Sequence, residues 1–478
     1  MNSKIIMHVL GWVLVFEAAA LLLPLVCALA FGEPYVLLLL ECIGICLAAG
    51  GVLILFAPKD RALYAREGFV TVALSWIVLS VFGALPFWLS GQIPNYVDAL
   101  FETVSGFTTT GASILTDVEA MPKCLLMWRS FTHWIGGMGV LVLLMAVLPL
   151  SGGSNLYLLK AESPGPAVGK LVPRVRSSAK ILYGIYTFLT ALQIVFLLFG
   201  GMTLFESVTL SLGTAGTGGF AILNTGAATY SPYVQVVITV FMIIFGVDFS
   251  LYYLALNGRF KSAFSSCELK AYLGIILAST AIIGADISGM FSSVGEALRH
   301  SAFQVASIIT TTGYSTADFD KWPELSKTML VMLMFIGACA GSTGGGIKVS
   351  RIIIMLKSIA KELKIIAHPN STHKITMNGR TVEHETVRGV NVFLGAYLVI
   401  FVITMLIISL DDFGFTTNFT AIATTINNIG PGLEAVGPTC NFSAYSDLSK
   451  LTLIFNMLAG RLELFPLLVL FSVYTWKK

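Results

Sequence analysis

The third of four similar stretches in this chain reads Ala306-Ser307-Ile308-Ile309-Thr310-Thr311-Thr312-Gly313-Tyr314-Ser315. The other three are Val104-Ser105-Gly106-Phe107-Thr108-Thr109-Thr110-Gly111-Ala112-Ser113, Leu212-Gly213-Thr214-Ala215-Gly216-Thr217-Gly218-Gly219-Phe220-Ala221 and Ala423-Thr424-Thr425-Ile426-Asn427-Asn428-Ile429-Gly430-Pro431-Gly432. Each ends a short amphipathic segment with small hydroxyl or amide residues and then a glycine. Their spacing of roughly 100 residues indicates an internal repeat of four units.

Apolar runs long enough to cross a bilayer lie on both sides of each stretch. The short segments before the four glycines, 97–109, 203–215, 295–309 and 416–427, cannot cross it. Irregular backbone at membrane depth is tolerated only where protein buries it or water lines it, which favours re-entrant pore helices. We therefore predict an all-α integral membrane protein with about ten spanning helices and four re-entrant pore loops, in pseudo-fourfold helix–pore–helix repeats. The ten predicted spans are 8–31, 35–57, 69–90, 128–150, 180–200, 233–257, 270–290, 326–347, 389–410 and 450–474.

The repeat also suggests how the chain is divided. Two accessory helices occupy residues 1–66, and the first pore repeat occupies 67–165. The second repeat covers 166–262, the third covers 263–388 together with a cytoplasmic linker, and the fourth covers 389–478.

Composition supports the membrane assignment. Of the 478 residues, 56% are hydrophobic and 12% are charged, whereas a soluble domain carries about 25% charged residues. The net charge of +3 is too small to indicate a nucleic-acid partner, so the lipid bilayer is the expected surroundings. The seven cysteines lie mostly in apolar runs, where free cysteine behaves as a small hydrophobic residue.

The distribution of basic residues predicts the orientation. Most of the 29 Lys and Arg residues fall in alternate connections, and connections rich in Lys and Arg face the cytoplasm. Both termini are then cytoplasmic, and all four re-entrant segments enter from outside. The outer connections are acidic, which would raise the local cation concentration, although ordinary solvated loop carboxylates explain each one equally well.

The residue types of the repeat suit cation selection. Dehydrating a monovalent cation requires rings of carbonyl oxygens that replace its hydration shell. Turning successive carbonyls toward one axis needs unusual dihedral angles, which glycine reaches without steric cost. Pore helices whose C-termini point at the axis add favourable dipoles for a cation. Four equivalent copies make a helix-packing role for these glycines a poor explanation.

The four stretches resemble the TrkH/TrkG branch of the TrkH/KtrB/HKT superfamily of potassium transporters. The resemblance covers essentially the whole chain, including two extra N-terminal helices. It implies uptake of potassium, and also rubidium, through a single channel-like pore per subunit. The candidate filter residues, whose carbonyls would bind K⁺, are Thr109, Thr110, Gly111, Thr217, Gly218, Gly219, Thr311, Thr312, Gly313, Asn428, Ile429 and Gly430.

Glycine at the filter position of every unit accompanies potassium selectivity in that family, and this chain has glycine in all four. In the second loop Gly218 and Gly219 are adjacent, and the sequence does not choose between them. The fourth loop departs most from the hydroxyl-rich pattern, since Asn427, Asn428 and Ile429 precede its glycine.

A glycine-rich segment follows the third loop. Gly344, Gly345 and Gly346 are consecutive, and each weakens a helix by about 1 kcal/mol relative to alanine. We expect the helix to break here and leave a flexible loop beneath the filter. In proteins that this one resembles, the matching segment acts as a gate. The alternative is a patch of close-packing glycines between helices. A phosphate-binding loop is excluded, because the ending Gly-Lys-Ser/Thr is missing.

Arg461 lies in an otherwise apolar part of the last helix. An ionisable residue inside the membrane indicates function, and Arg461 could limit cation passage by repulsion. The resembling branch also carries an arginine in this motif. Alternatively, Arg461 pairs with a neighbouring carboxylate and only orients helices. For the two other buried polar candidates, His133 and Asp248, we favour helix–helix hydrogen bonding.

The two other functional classes are a membrane-embedded enzyme and an alternating-access transporter. A membrane-embedded enzyme is disfavoured, because of six histidines only His133 lies well inside a span and no His/Cys/carboxylate cluster has ligand spacing. An alternating-access transporter predicts inverted repeats, whereas these repeats share one orientation. A sodium- or proton-coupled potassium symporter would have the same filter and stays open.

The resemblance also implies location and partners. We expect a multi-pass protein of the bacterial inner membrane with K⁺ as the transported ion and no organic cofactor. A cytosolic nucleotide-binding regulatory subunit of the TrkA type and a homodimer of this chain are the expected protein partners. The basic segment between Lys348 and Arg388 offers a surface for such a partner.

Overall fold

The computed structural model describes residues 2–56, 64–139, 142, 175–369 and 373–476. Three helices precede the repeats: α1 (Ser3–Ala20), α2 (Leu22–Phe31) and α3 (Val36–Ile54). α1 packs closely on α3, because a β-carbon built on Gly11 would lie 2.8 Å from the carbonyl oxygen of Gly50. Small residues allow such backbone approach between membrane helices.

Each repeat contains a first helix, a pore helix and a second helix. The first repeat has α4 (Ala65–Gly83) with α5 (Leu85–Leu89), pore helix α6 (Tyr96–Phe107) and α7 (Lys123–Met138). The second has α8 (Val175–Phe199), pore helix α9 (Leu204–Gly216) and the pair α10 (Pro232–Phe245) and α11 (Phe249–Leu256), followed by α12 (Phe260–Phe264). The predicted boundary at 165/166 and the end of the predicted span 128–150 lie outside the described residues.

The third repeat has α13 (Cys267–Asp286), pore helix α14 (Val294–Ile309), and α15 (Glu324–Ile336) with α16 (Val349–Ala367). The fourth has α17 (His384–Ile408), pore helix α18 (Phe415–Ile426), α19 (Asp447–Arg461), α20 (Phe465–Phe471) and α21 (Val473–Trp476). Between them, β1 (Thr376–Met377) pairs antiparallel with β2 (Arg380–Thr381) across a turn at Asn378 and Gly379. Both turn residues have positive φ, as a tight hairpin turn requires.

The pore helices begin and end within two residues of their predicted bounds. Their N-termini carry side-chain caps in three repeats: Asn95 accepts from Val97, Thr203 forms a capping box with Glu206, and Ser293 accepts from Glu296. These caps satisfy orphan N–H groups where the chain re-enters the membrane.

First and second helices differ in continuity. In the described residues six helical segments are long and apolar enough to span: Ser3–Phe31, Val36–Ile54, Arg66–Leu89, Ser177–Phe199, Cys267–Asp286 and His384–Asp411. These include the first helix of every repeat. In the second, third and fourth repeats the second helix is interrupted: α10 and α11 meet at 89°, residues 337–348 separate α15 from α16, and residues 462–464 separate α19 from α20. The all-α membrane fold is confirmed, with one small hairpin added.

Candidate functional site

The four pore loops share one backbone conformation. The residue that follows each pore helix by about two positions has a left-handed φ: Thr109 (54°), Thr217 (56°), Thr311 (59°) and Asn428 (56°). Two residues later comes a glycine of positive φ: Gly111 (79°), Gly219 (74°), Gly313 (88°) and Gly430 (102°). A left-handed conformation is a genuine outlier for a β-branched residue such as threonine. Its recurrence at matching positions identifies one local structure built four times.

The same hydrogen bond closes each pore helix. The residue between the two positive-φ positions donates its N–H to the carbonyl five residues earlier. The pairs are Thr110 to Ser105 (2.9 Å), Gly218 to Gly213 (2.9 Å), Thr312 to Ser307 (2.8 Å) and Ile429 to Thr424 (2.8 Å). This bond is typical of helix ends that turn through a left-handed residue. The pore loops are therefore tied directly to the helix C-termini whose dipoles face them.

The four loops also touch one another in a closed ring. A β-carbon built on Gly111 would lie 2.1 Å from the carbonyl oxygen of Gly218, and one on Gly219 would lie 1.8 Å from that of Thr312. The ring continues, since a β-carbon on Gly313 would lie 2.1 Å from the Ile429 oxygen. It closes where one on Gly430 would lie 2.8 Å from the Thr110 oxygen. The backbone thus surrounds a single pseudo-fourfold axis.

This register identifies the glycine of the second loop. Gly219, and not Gly218, shares the positive φ and the neighbour contact of Gly111, Gly313 and Gly430. Gly218 instead packs against the imidazole of His133, whose Nδ1 atom would lie 2.2 Å from an added β-carbon.

Side chains support the ring from behind. The hydroxyls of Thr108 and Thr110 are 2.8 Å apart, and those of Thr310 and Thr312 are 2.7 Å apart. Asn428 donates from Nδ2 to the Thr110 hydroxyl at 2.9 Å, which joins the fourth loop to the first. The unusual amide of the fourth loop therefore enters the same hydroxyl network.

A buried ion pair joins the first and second loops. The Arg129 Nε atom lies 2.6 Å from a carboxylate oxygen of Glu102 on pore helix α6. Arg129 also donates to the Ala221 carbonyl at 2.8 Å and to the Ser113 hydroxyl at 3.1 Å. Arg129 and residues of all four loops line a cavity of about 210 Å³. The cavity lies on the face of the ring formed by the ring glycines and the residues that follow them. Glu102 and Arg129 are 27 residues apart in sequence, and no motif predicts that they pair.

The loop of residues 337–348 lies against the opposite side of the ring. The Gly345 N–H donates to the Thr311 hydroxyl at 2.6 Å. A β-carbon on Gly345 would lie 2.4 Å from the Asn427 oxygen, and one on Gly344 would lie 2.9 Å from the Thr310 oxygen. The predicted helix break is therefore present. Two of its three glycines, Gly344 and Gly345, touch residues that begin the third and fourth pore loops, whereas Gly346 packs against Gly337.

The ends of the 337–348 loop are held together. The Lys348 N–H donates to the Ile336 carbonyl at 3.0 Å, and the Val349 N–H to the Ala338 carbonyl at 3.1 Å. Lys348 is buried, has a positive φ of 84°, and donates from its ammonium group to the Gly344 carbonyl. We expected Lys348 to lie in a cytoplasmic connection, but its side chain is buried within the loop.

Arg461 sits between this loop and the ring. It donates to the Thr343 carbonyl at 2.8 Å, to the Thr109 hydroxyl at 3.2 Å and to the Gly137 carbonyl at 2.6 Å. The nearby carboxylate of Glu463 forms an ion pair with Arg351. Arg461 thus bridges the first pore loop, the second helix of the first repeat and the 337–348 loop.

The two other buried polar candidates differ from each other. His133 is hydrogen-bonded to the Gly106 carbonyl at 2.7 Å and to the Phe220 N–H at 3.2 Å. Because a carbonyl only accepts and an amide N–H only donates, Nδ1 carries the proton and Nε2 accepts. His133 therefore braces the second pore loop. Asp248 accepts from the Ser250 N–H and hydroxyl at 2.8 and 2.6 Å, and so caps α11.

The sequence of this chain matches a known protein family over nearly its whole length. The family model TrkH, described as a cation transport protein, matches residues 40–277 and 275–477. A Trk system potassium uptake protein TrkH from Salmonella typhimurium is 35% identical over 491 residues, covering 100% of both chains. A TrkG protein of the same system from Escherichia coli K12 is 32% identical, covering 100% of this chain and 99% of the relative.

The fold has a counterpart among solved structures. The crystal structure of the potassium transporter TrkH from Vibrio parahaemolyticus superposes with a TM-score of 0.89. It is 31% identical in sequence, and the match covers 100% of both chains.

Proposed function

Because this chain belongs to the TrkH family of cation transport proteins, we propose that it is a potassium-selective uptake protein with one channel-like pore per subunit. Its family makes it a transporter and not an enzyme. The observation that carries the proposal is the closed ring of four equivalent pore loops. Such rings of carbonyl oxygens replace the hydration shell of K⁺, and Rb⁺ would pass by the same coordination.

In each pore loop, the backbone of three consecutive residues would form the filter. The proposed K⁺-binding residues are Thr109, Thr110 and Gly111; Thr217, Gly218 and Gly219; Thr311, Thr312 and Gly313; and Asn428, Ile429 and Gly430. Support comes from the matching φ values and from the matching bonds to the pore-helix ends. These bonds fix the carbonyl directions before an ion arrives, which reduces the cost of binding.

The 337–348 loop is the proposed gate. Gly344 and Gly345 lie close enough to the Thr310 and Asn427 carbonyls to obstruct an ion leaving the filter. The three glycines Gly344–Gly346 have no side chains that would need repacking when this segment moves. Uptake then requires the loop to move aside.

Arg461 is the proposed barrier beside the gate. Its guanidinium contacts both the Thr109 hydroxyl and the Thr343 carbonyl, and it therefore reaches the region between the filter and the gate. A fixed positive charge at that level repels a cation by Coulomb interaction that membrane surroundings screen poorly.

Location and assembly extend the same proposal. We infer a multi-pass protein of the bacterial inner membrane with both termini cytoplasmic, organised in the accessory segment 1–66 and the four repeats 67–165, 166–262, 263–388 and 389–478. We also infer a homodimer and a cytosolic nucleotide-binding partner of the TrkA type. The apolar spanning segments support the membrane location, and the description of the relatives as parts of a Trk system supports a protein that acts with other components.

Cation flux into liposomes that contain only this purified chain tests the function. Potassium and rubidium should enter down their own gradients, while sodium enters less and lithium least. Protein-free liposomes and liposomes with heat-inactivated chain serve as controls.

Two results would change the proposal. Uptake that requires an added sodium or proton gradient would favour the coupled symporter. Equal permeation of potassium and lithium would contradict carbonyl selection by the ring.

A further inference from the structure

We propose that Glu268 is the latch of the 337–348 loop, and that the cytoplasmic hairpin positions this latch through Asn378. This inference rests on the proposed function, in which the loop is the gate. Glu268 lies in the first turn of α13, at the start of the third repeat. It is a buried carboxylate that the filter, the barrier and the gate do not themselves include.

Glu268 binds both ends of the loop. One carboxylate oxygen accepts from the Ala340 N–H at 2.7 Å and from the Ser350 N–H at 3.0 Å. Ala340 precedes the three glycines, whereas Ser350 follows them at the start of α16. Hydrogen bonds to a charged acceptor are about twice as strong as neutral ones. A single anionic group therefore holds together two backbone segments that would have to separate if the loop opened.

The broken second helix of the second repeat supports the same segment. The Cys339 N–H donates to the Gly246 carbonyl at 3.1 Å, and the Phe249 N–H donates to the Gly341 carbonyl at 3.1 Å. The loop thus has an anchored part near residues 338–341 and a part against the filter near residues 343–346. Releasing the anchored part removes the support of the filter contacts, so that residues 343–346 can withdraw from the ring.

The hairpin reaches the helix end that carries Glu268. The Asn378 side-chain oxygen accepts from the Cys267 N–H at 2.7 Å. This N–H is an orphan donor of the first turn of α13, and the next residue along the chain is Glu268. The hairpin is also tied to α16, because Lys357 donates to the Thr376 carbonyl at 2.7 Å. A displacement of the hairpin at the cytoplasmic surface would consequently move the residue beside the latch.

Two conservative substitutions test this arrangement. Glu268→Gln keeps the shape of the side chain and removes its charge. Asn378→Gly removes the side-chain acceptor and keeps the positive φ of 51° that the turn needs. Glu268→Ala is a stronger second variant. The control for the hairpin is Thr381→Ala, at an exposed position on β2.

Cys339 provides a reporter within the anchored part of the loop. It is buried, and its reaction with a small thiol reagent should require the loop to leave its position. The other six cysteines are changed to alanine, and full-length variants are reconstituted in liposomes. Rubidium flux, the rubidium-to-sodium ratio and the rate of Cys339 labelling are measured in the same preparation.

The latch predicts a specific pattern. Glu268→Gln should raise flux and Cys339 labelling about tenfold, as expected for weakening bonds to a charged acceptor. Asn378→Gly should raise both less, and the double variant should equal Glu268→Gln alone, because both changes act through one carboxylate. The rubidium-to-sodium ratio should not change, since the ring is not altered. General loss of structure would lower that ratio.

Other outcomes separate the two proposals. Unchanged labelling in Glu268→Gln and Glu268→Ala would overturn the latch, whatever the flux. Increased labelling without increased flux would support the latch and contradict the loop as the gate. Additive effects of Glu268→Gln and Asn378→Gly would overturn the role of the hairpin.

Discussion

At the scale of single residues, each ring glycine meets two requirements at once. Gly313 has a φ of 88°, which strains any L-residue with a side chain, and its missing β-carbon leaves room for the Ile429 carbonyl. Thr311, two residues before Gly313, adopts the left-handed conformation although its side chain is branched at the β-carbon. Such strain costs about 1–2 kcal/mol, and the bonds to pore helix and gate hold it in place. The ring therefore depends on glycine at one position and on tertiary support at the other.

Gly313→Ser should weaken potassium selectivity. A serine β-carbon would meet the Ile429 oxygen at 2.1 Å and push the third and fourth loops apart. A loss of one or two kcal/mol in relative binding corresponds to a fall of about tenfold in the potassium-to-sodium permeability ratio. Bi-ionic flux in liposomes measures that ratio. The control is Gly289→Ser, where no atom lies within 4 Å of an added β-carbon; an unchanged ratio in Gly313→Ser would count against the third loop as filter.

Arg461→Gln should increase rubidium flux several-fold. The amide retains part of the hydrogen bonding to the Thr343 and Gly137 carbonyls, but it no longer repels a cation. Arg461→Lys should stay close to the original rate. Arg299→Gln, a change of a partly exposed arginine on α14, controls for loss of a positive charge elsewhere. A flux in Arg461→Gln no higher than in the Lys variant would contradict an electrostatic barrier.

The sequence predicts individual loop residues where the same pattern occurs in all four repeats. The four ring glycines follow from alignment of the stretches, except that Gly219 could be chosen over Gly218 only from its φ value. Glu102 and Glu268 were missed, although an isolated carboxylate at the edge of an apolar run is an available signal. Their partners, Arg129 in one case and two backbone N–H groups in the other, are distant in sequence. The periodicity of hydrophobic residues along the chain does not predict contacts between residues that are distant in sequence.

At the scale of helices, the first helix of each repeat is long enough to span, whereas the second helix is interrupted in the second, third and fourth repeats. The break at residues 337–348 follows from three consecutive glycines. The bend at residues 246–248 and the break at residues 462–464 do not follow from composition. Gly246 is packed against the Tyr272 hydroxyl, and Leu464 adopts a left-handed φ of 64°. Tertiary contacts override a sequence that reads as one apolar helix in both places.

Gly345→Ala should raise basal flux through displacement of the gate. The added methyl group would lie 2.4 Å from the Asn427 oxygen, so the loop would have to withdraw from the ring. Rubidium uptake without any regulatory partner measures the effect. Gly395→Ala on α17, where an added β-carbon meets nothing within 4 Å, is the matched control. Lower uptake in Gly345→Ala than in the control would contradict the gating role.

At the scale of the whole molecule, the accessory helices pack beside the first repeat and away from the ring. α1 contacts α3 through Gly11 and Gly50, and the Glu17 side chain of α1 approaches Gly83 on α4. These helices therefore pack on the periphery of the first repeat. In the described part of the chain, the ring of pore loops is built without any residue from these helices.

Gly11→Val should destabilise the protein and leave selectivity intact. Its side chain would collide with the Gly50 carbonyl and with Ile54, and such overpacking typically costs about 1–3 kcal/mol. Thermal unfolding in detergent should shift downward by a few degrees, about as expected for that energy in a chain of this size. Gly44→Val, where nothing lies within 4 Å, is the control. A changed rubidium-to-sodium ratio in Gly11→Val would place α1 closer to the conduction path than the contacts indicate.

The ring closes within one polypeptide, so a single mutation changes only one of its four loops. In a pore assembled from identical subunits, one codon change alters every quadrant at once. Here each quadrant has its own codon, so a substitution at Gly111 leaves Gly219, Gly313 and Gly430 as they were. If the ring selects the ion as proposed, its preference can change one quadrant at a time, with each change exposed to selection alone. The fourth quadrant already differs from the other three in this chain, with Asn428 where the others have threonine.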